Sequence, residues 1–407
     1  MTTAASPSVA ASETGHATCE FEPSIDHCRR KQTAKWHHVA HDVLPAWVAE
    51  TDYDLCPPVA DAIVAAVRRG DVGYPDWTSE PLAAAFAERM ASRYGWHPDP
   101  SHVRHVSDLI QAMQVVTELC TVRGDGVVLH VPNYPPFLAA LDHMGRTPVA
   151  SPLTPSGESW TFDVERLEDD VARAAPKVLL LVNPHNPTGR VMTRAELEQV
   201  AAVAERHDLV VVSDELHAEL TYPGHVHVPF ASLGDDAAGR TVTITSATKS
   251  FNLGGLRTAI AHVGDERVRA AWDRLPSELL GSVNVLGVEA TLAAWRHGDG
   301  WLERQRQHLH QLRDHLVFRI AELPGVVLRA PEATFLAWLD CRGTGIEDPA
   351  EHFRRRARVE LVPGPTFGPG GDGHVRLNFG TGRGILDQIV DQMAASLQSR
   401  TEGPGAE

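Results

Sequence analysis

Residues 177–190 read KVLLLVNPHNPTGR. The first half is apolar at nearly every position, which suits a strand buried on both faces and not one with a wet side. The second half, two Asn-Pro pairs closed by Thr-Gly, is turn chemistry that ends the strand abruptly. Three similar runs occur on either side: VVLHV at 127–131, LVVVS at 209–213 and TVTITS at 241–246. Between the runs lie amphipathic stretches, LIQAMQVVTELC at 109–120, PFLAALDHM at 136–144 and TRAELEQVAAVAERH at 193–207. Thr193 with Glu196 three residues on forms a capping-box pattern, which marks where the last of these helices starts. Buried strands alternating with helices from about residue 100 to 265 predict an α/β fold with a mostly parallel sheet covered on both faces. Ligands of such sheets bind beyond the carboxyl ends of the strands.

A second, smaller α+β unit is expected from residue 285 onward. Its first element is an amphipathic helix over about 284–322 that has to bend or break near Gly298 and Gly300. Strand candidates GVVLRA, FLAWLD and HVRLNFG follow, with a helix around 349–358 and the loop VPGPTFGPGGDG at 362–373. The predicted division is a tail at 1–24, an arm at 25–54 joining the small unit, a large unit at 55–284, the small unit at 285–397 and a tail at 398–407. The opening residues MTTAASPSVAASETGHATCE have no basic start and no apolar core, so a disordered tail is expected there, not a signal or transit peptide. Periodicity is likewise lost after Leu397.

Charge and composition narrow the function classes. Across 407 residues, 37 Lys+Arg against 53 Asp+Glu leave a net charge of −16, which argues against nucleic acid or an anionic membrane surface as the main partner. A small-molecule substrate is the default. The apolar runs fall far short of the ~20 residues that span a bilayer. Five cysteines (Cys19, Cys28, Cys56, Cys120, Cys341) without a C-x-x-C pair indicate neither a disulfide framework nor a zinc site, and a reducing cytoplasm is expected. No metal is expected either: His37, His38 and His41, or His102 and His105, lack cysteines or paired carboxylates at ligand spacing. GPGGDG at 368–373 lacks the Lys-Ser/Thr of a phosphate loop and reads as a hairpin loop. HFRRRAR at 352–358 reads as a helix face in a chain this acidic.

The chemistry-bearing residues cluster at the strand ends. Asn183 through Arg190 follow the first run; Asp214, Glu215, Leu216 and His217 follow LVVVS; Thr248 and Lys249 follow TVTITSA and lead into SFNLGGLR. An amide, a carboxylate and an amine are thus expected around one crevice. Lysines are scarce here, only Lys31, Lys35, Lys177 and Lys249, and a desolvated lysine amine is a nucleophile toward carbonyls. Asp214 at the end of an apolar strand needs a cation, and a protonated pyridine nitrogen is one.

NPHNPTG, SDELH and SATKSFNLGGLR, in this order and at these separations, resemble the cofactor motifs of fold-type I pyridoxal phosphate enzymes, the aspartate aminotransferase superfamily. The resemblance runs over roughly residues 29 to 395. It implies pyridoxal 5'-phosphate as cofactor, Lys249 as the Schiff-base lysine, Asp214 as the partner of the pyridine nitrogen and Asn186 as the partner of the ring's phenolic oxygen. Ser246 and Arg257 match its phosphate ligands, and Tyr134 in VPNYPPF matches the aromatic stacked on the ring. Tyr74 in GYPDW matches the tyrosine that reaches the phosphate of a neighbouring subunit, which implies a homodimer. Arg376 in HVRLNFG matches the arginine that grips a substrate carboxylate.

Within that superfamily SDELHAEL resembles the signature of the MalY/PatB-type cystathionine β-lyases, with His217 where most aminotransferases have Tyr. RRKQTAKWHHVAHDVLPAWVAETDY at 29–53 resembles their leading segment, which implies that Trp47, Val48 and Ala49 line the substrate side. The expected reaction is cleavage of an L-cysteine S-conjugate to a thiol, pyruvate and ammonia. Transamination and decarboxylating oxidative deamination remain the enzymatic alternatives, and a regulatory protein that uses the fold to bind a partner is the non-enzymatic one. Two features depart from the pattern. TSEPL at 78–82 lacks the Gly common in the family's dimer loop. VSDLIQAM at 106–113 fills the phosphate-cup position, where the N–H groups of Leu109 and Ile110 face the anion. Asp108 is unexpected there, and is expected to turn away and cap the helix.

Overall fold

The computed structural model describes residues 21–74, 81–276 and 280–401. Its strands are β1 Leu44–Pro45, β2 Val103–Val106, β3 Gly126–Val131, β4 Thr147–Ser156, β5 Ser159–Phe162, β6 Val178–Val182, β7 Val210–Asp214, β8 Thr241–Thr245, β9 Ala259–Val263, β10 Val327–Leu328, β11 Leu336–Asp340, β12 Val359–Glu360, β13 Val362–Pro363 and β14 His374–Asn378.

Eight of them form one sheet in the order β2-β9-β8-β7-β6-β3-β4-β5. β4, β3, β6, β7 and β8 run parallel, while β9 and β5 run antiparallel to their neighbours. The period-two alternation of a strand sorts the side chains onto two faces. Val178, Leu180, Val212, Val242 and Ile244 pack under the helices Leu109–Cys120 and Pro135–Met144. Leu179, Leu181 and Val211 pack under Val164–Ala174 and Arg194–Arg206. Both faces are therefore dry, as continuous apolar runs require. Thr193 caps the last helix in a complete capping box with Glu196. From β3 the chain moves to β4 on one side and from β6 to β7 and β8 on the other, so the β3/β6 junction is a switch point where a crevice opens.

The hairpin β4–β5 has no counterpart among the strands legible in the sequence. Its segment TPVASPLTPSGESWTF carries three prolines, which demote a run as a strand. At the edge of the large sheet it meets the small one, where Trp160 packs with Trp338 and Phe367. The small sheet is antiparallel, β10-β11-β14-β13, and GPGGDG is the hairpin loop between β13 and β14. β1 pairs in parallel with β12, which ties the arm to the small unit.

The long helix breaks where expected, into Val285–His297 and Asp299–Ile320 about Gly298. A Cβ there would sit 2.4 Å from Phe251 Cε1 and 2.6 Å from the Ala294 carbonyl oxygen. Val285–His297 packs on Pro57–Arg69 and Pro81–Tyr94. The stretch at 349–358 is a short α-helix, Pro349–His352, continued by a π-helical turn, Phe353–Ala357.

Both expected tails are shorter than their sequence suggests. Phe21 is buried edge-on against Tyr53, Glu22 accepts the Arg383 N–H at 2.7 Å, and Ser24 caps the helix Ile25–Arg29. At the other end the helix Arg383–Thr401 runs past Leu397. Most of the first tail, the Pro-Asp-Trp of GYPDW and the start of TSEPL lie outside the described residues. No helix among the described residues is long and apolar enough to cross a membrane, and no group of three or more His, Cys, Asp or Glu there could hold a metal ion.

Gly298→Ala is expected to cost about 1–3 kcal/mol, because the methyl group must displace Phe251 or a backbone carbonyl. A lowered urea midpoint at unchanged slope is the readout.

Candidate active site

The carboxyl ends of β3, β6, β7 and β8 deliver their polar residues to one crevice. Asp214, the last residue of β7, is buried, and one carboxylate oxygen accepts the Leu216 N–H at 3.0 Å. Among the described residues no cation lies within ion-pair distance of it. Burial, reinforced by the neighbouring Glu215, therefore pushes its pKa up to about 7, against the pull of the Leu216 N–H and Lys249. Glu215 points the other way, onto Ser213 Oγ at 2.9 Å, the Phe230 N–H at 3.0 Å and His227 Nε2 at 3.0 Å.

Lys249 and Arg376 are the two cations of the crevice. Lys249 Nζ donates to the Ala49 carbonyl at 2.7 Å, and desolvation, then repulsion from Arg376, lowers its pKa to about 8. Arg376, on β14, is buried. It donates through Nη1 to Asn186 Oδ1 at 3.1 Å and through Nη2 to the Trp47 carbonyl at 2.9 Å, and it lies 5.2 Å from the centre of the Phe367 ring. Its Nε has no hydrogen-bond partner, and burial lowers its pKa to about 10. A buried guanidinium held only by neutral oxygens is set up for a carboxylate.

The remaining candidates surround this pair. Tyr134 immediately precedes the helix Pro135–Met144; burial raises its pKa, with Arg376, Asp214, Asp108 and Arg257 all felt at the hydroxyl. Asn133 orients it by accepting the Tyr134 N–H at 2.7 Å and donating to the His130 carbonyl at 2.7 Å. His217 is buried with Nδ1 unpartnered, and burial, then Lys249 and Arg376, lowers its pKa to about 3, so the ring is neutral. Ser246 Oγ donates to the Thr258 carbonyl at 2.7 Å and accepts the Thr248 N–H at 3.1 Å. Arg257 adopts a left-handed backbone, φ 51°, that aims its side chain at Asp108, with which it is ion-paired. Leu109 and Ile110 open the helix after that residue, where N–H groups precede the intrahelical ladder. Tyr74 is 90% exposed and is not gathered into this cluster.

Several contributors went unassigned in the sequence although they sit inside the motifs quoted above. Asn378 Nδ2 bonds the Val48 carbonyl and, at 2.7 Å, that of Glu50. Asn252 exchanges two hydrogen bonds with the backbone of Thr51, at 3.1 and 2.9 Å. Lys35 and Asp52 form an ion pair at 2.9 Å, exposed by 0% and 2%, with the Trp36 indole donating to Asp52 at 2.7 Å. The signal was their polarity within otherwise apolar stretches.

A crevice at a sheet switch point, with an amine, an uncompensated carboxylate and a buried guanidinium, agrees with known proteins. The family described as "Aminotransferase class I and II" matches residues 41–392. The chain belongs to that family. A putative cystathionine β-lyase of Mycobacterium leprae is 38% identical over 92% of this chain and 97% of its own. The cystathionine β-lyase PatB of Bacillus subtilis is 31% identical over 90% and 97%. The crystal structure of a putative PLP-dependent β-cystathionase from Corynebacterium diphtheriae superposes with a TM-score of 0.87 at 33% identity, over 93% and 99%. Within the aminotransferase class I and II family this chain is thus similar to the cystathionine β-lyase branch.

Pyridoxal 5'-phosphate is the cofactor of this family, and the residues fit it. Asp214 lacks the cation that a ring nitrogen would supply, the pKa of Lys249 is lowered by burial, and a helix N-terminus stands beside Arg257. A raised carboxyl pKa means that folding favours the protonated acid: its contribution is whole below 3.8 and is lost as pH rises to about 7. In cofactor-free protein Asp214→Asn is therefore expected to match wild type in stability near pH 4 and to exceed it increasingly up to pH 7–8, as urea unfolding at each pH would show.

Proposed function

We propose that this protein is a pyridoxal 5'-phosphate-dependent carbon–sulfur β-lyase that acts on an L-cysteine S-conjugate. Water and the conjugate would give a thiol, pyruvate and ammonia: the Cα proton leaves first, the Cβ–S bond breaks with its electron pair going to sulfur, and the remaining three-carbon unit is hydrolysed. The observation that carries the reading is the pairing of Arg376, buried without a carboxylate partner, with the Lys249 amine in the same crevice. The bound cofactor supplies a cationic ring that accepts the electrons left on Cα.

The chain's own groups do the rest. Arg376 exchanges the Trp47 carbonyl for the substrate carboxylate and so sets the orientation of Cα. Lys249, with a pKa of about 8, is basic enough to take the Cα proton near neutral pH and acidic enough to return it. Asp214, Asn186 and Tyr134 are assigned to the cofactor ring, and Ser246, Arg257, Leu109 and Ile110 to its phosphate. His217, neutral and with a free nitrogen, is assigned to the same ring and supports the lyase branch. Trp47, Val48 and Ala49, whose carbonyls are held by Arg376, Asn378 and Lys249, are assigned to the substrate side.

A homodimer completes the proposal, with Tyr74 serving the phosphate of the neighbouring copy. Val64 and Val67 on the helix Pro57–Arg69, Leu55 just before it and Val72 just after it are exposed large hydrophobics that precede Tyr74 in the chain. Cys28 and Cys341, buried and not joined in a disulfide, suit a reducing compartment.

The purified protein is expected to release pyruvate and free thiol from L-cystathionine or a simple S-alkyl-L-cysteine. Lys249→Ala should abolish both this activity and the visible absorbance of bound cofactor. Turnover only in the presence of a 2-oxo acid acceptor, without thiol, would replace the lyase reading with transamination. Arg376→Lys is expected to lower kcat/KM roughly 10²–10³-fold, mainly through KM, because a lysine cannot hold a carboxylate with two parallel bonds.

A further inference from the structure

Asp108 does more than cap a helix. Its extended backbone, φ −163°, makes it the N-cap of Leu109–Cys120, and Oδ1 accepts the Gln111 N–H at 2.8 Å. The Gln111 side chain turns back to the Ser107 N–H at 2.8 Å and donates to the Leu280 carbonyl at 2.7 Å, so this turn is clamped from both sides. Only one carboxylate oxygen is used in the cap. The other, Oδ2, is ion-paired with Arg257 Nη2. The expected turn away from the phosphate cup is thus only half realised: a fixed negative charge remains on the guanidinium assigned to the cofactor phosphate. The pair reaches solvent, with side chains 23% and 59% exposed, so the contact can be exchanged.

We propose that Asp108 competes with the cofactor phosphate for Arg257 and thereby sets how tightly the cofactor is held. The inference rests on the cofactor reading of this crevice. A helix N-terminus and one guanidinium together favour a dianion. A carboxylate on the same guanidinium cancels its charge and repels the phosphate across a partly solvated gap. The phosphate must either displace Oδ2 from Nη2 or share Arg257 with it. In both cases binding is weaker than the cup would otherwise allow, and the cofactor can be exchanged more readily. The effect falls chiefly on the phosphate, because Asp108 is ion-paired with Arg257 while Asp214 and Lys249 make their contacts elsewhere.

Asp108→Asn isolates the charge, since Asn caps a helix N-terminus as well as Asp does; Asp108→Ser gives a second capping replacement. Loaded wild-type and variant proteins are stripped of cofactor and titrated with pyridoxal 5'-phosphate, with pyridoxal lacking the phosphate, and with inorganic phosphate as competitor. Visible absorbance and equilibrium dialysis are the readouts. Asp108→Asn is expected to bind pyridoxal 5'-phosphate about tenfold more tightly and to be inhibited by lower inorganic phosphate. Pyridoxal affinity should stay within about twofold, and added salt should narrow the difference. Unchanged or weaker pyridoxal 5'-phosphate binding in both variants would overturn the proposal, as would an equal shift for pyridoxal, which would mark a general effect on the helix. A wild-type protein that binds no pyridoxal 5'-phosphate would instead reject the cofactor reading itself.

Discussion

The loop at 47–52 is held by side chains that lie far apart in the sequence. Arg376 bonds the Trp47 carbonyl, Asn378 those of Val48 and Glu50, and Lys249 that of Ala49. Asn252 clasps the backbone of Thr51, and the Asp52 N–H donates to the Gly380 carbonyl at 2.9 Å. An isolated extended chain in this position would expose a row of unpaired carbonyls at the floor of a crevice. Here the carbonyls of Trp47 and Ala49 are the partners of Arg376 and Lys249, and those of Val48 and Glu50 are taken by the Asn378 amide. The buried Lys35–Asp52 pair anchors the segment from behind, with the Trp36 indole and the Glu50 carbonyl completing its hydrogen bonds. Removing one member of such a pair leaves a charge in a dry site, so the anchor is all or none.

This arrangement explains why the cations stay reactive. A carbonyl is a good hydrogen-bond acceptor but carries no net charge, so neither Lys249 nor Arg376 is neutralised. Each instead has its pKa lowered by burial. Asp214 faces the complementary situation, a buried carboxylate raised toward neutral pH. The chain's net charge of −16 is therefore no guide to this crevice. Acidic residues dominate the whole, while Lys249, Arg257 and Arg376 converge on one side of one sheet.

Much of the fold was legible because strong local signals agreed with the tertiary outcome. The runs at 127–131, 177–182, 209–213 and 241–246 became β3, β6, β7 and β8, and the helices at 109–120 and 193–207 start where Asp108 and Thr193 cap them. The break at Gly298 was legible as well, although the approach of Phe251 that leaves no room for a Cβ there was not. The hairpin β4–β5 was hidden by its prolines and is held by distant partners, Trp338 and Phe367 for Trp160 and Glu332 for Ser159. Phe21 looked like part of a polar tail because its neighbours in sequence are small, yet its partners, Tyr53 and Trp301, lie far along the chain.

The sequence by itself determined which chemistry is present: an amine, a carboxylate and an amide at three strand ends, and an arginine on the strand of a second unit. Strand ends are local features, and buried parallel strands must end on the same side of their sheet. Only the tertiary structure decided what each of these groups feels. It put the carbonyls of Trp47 and Ala49 against Arg376 and Lys249, left Asp214 without a cation, and laid Asp108 on Arg257. These are contacts between residues far apart in sequence. Their strength depends on desolvation and on separations of a few ångströms, which no pattern along the chain encodes.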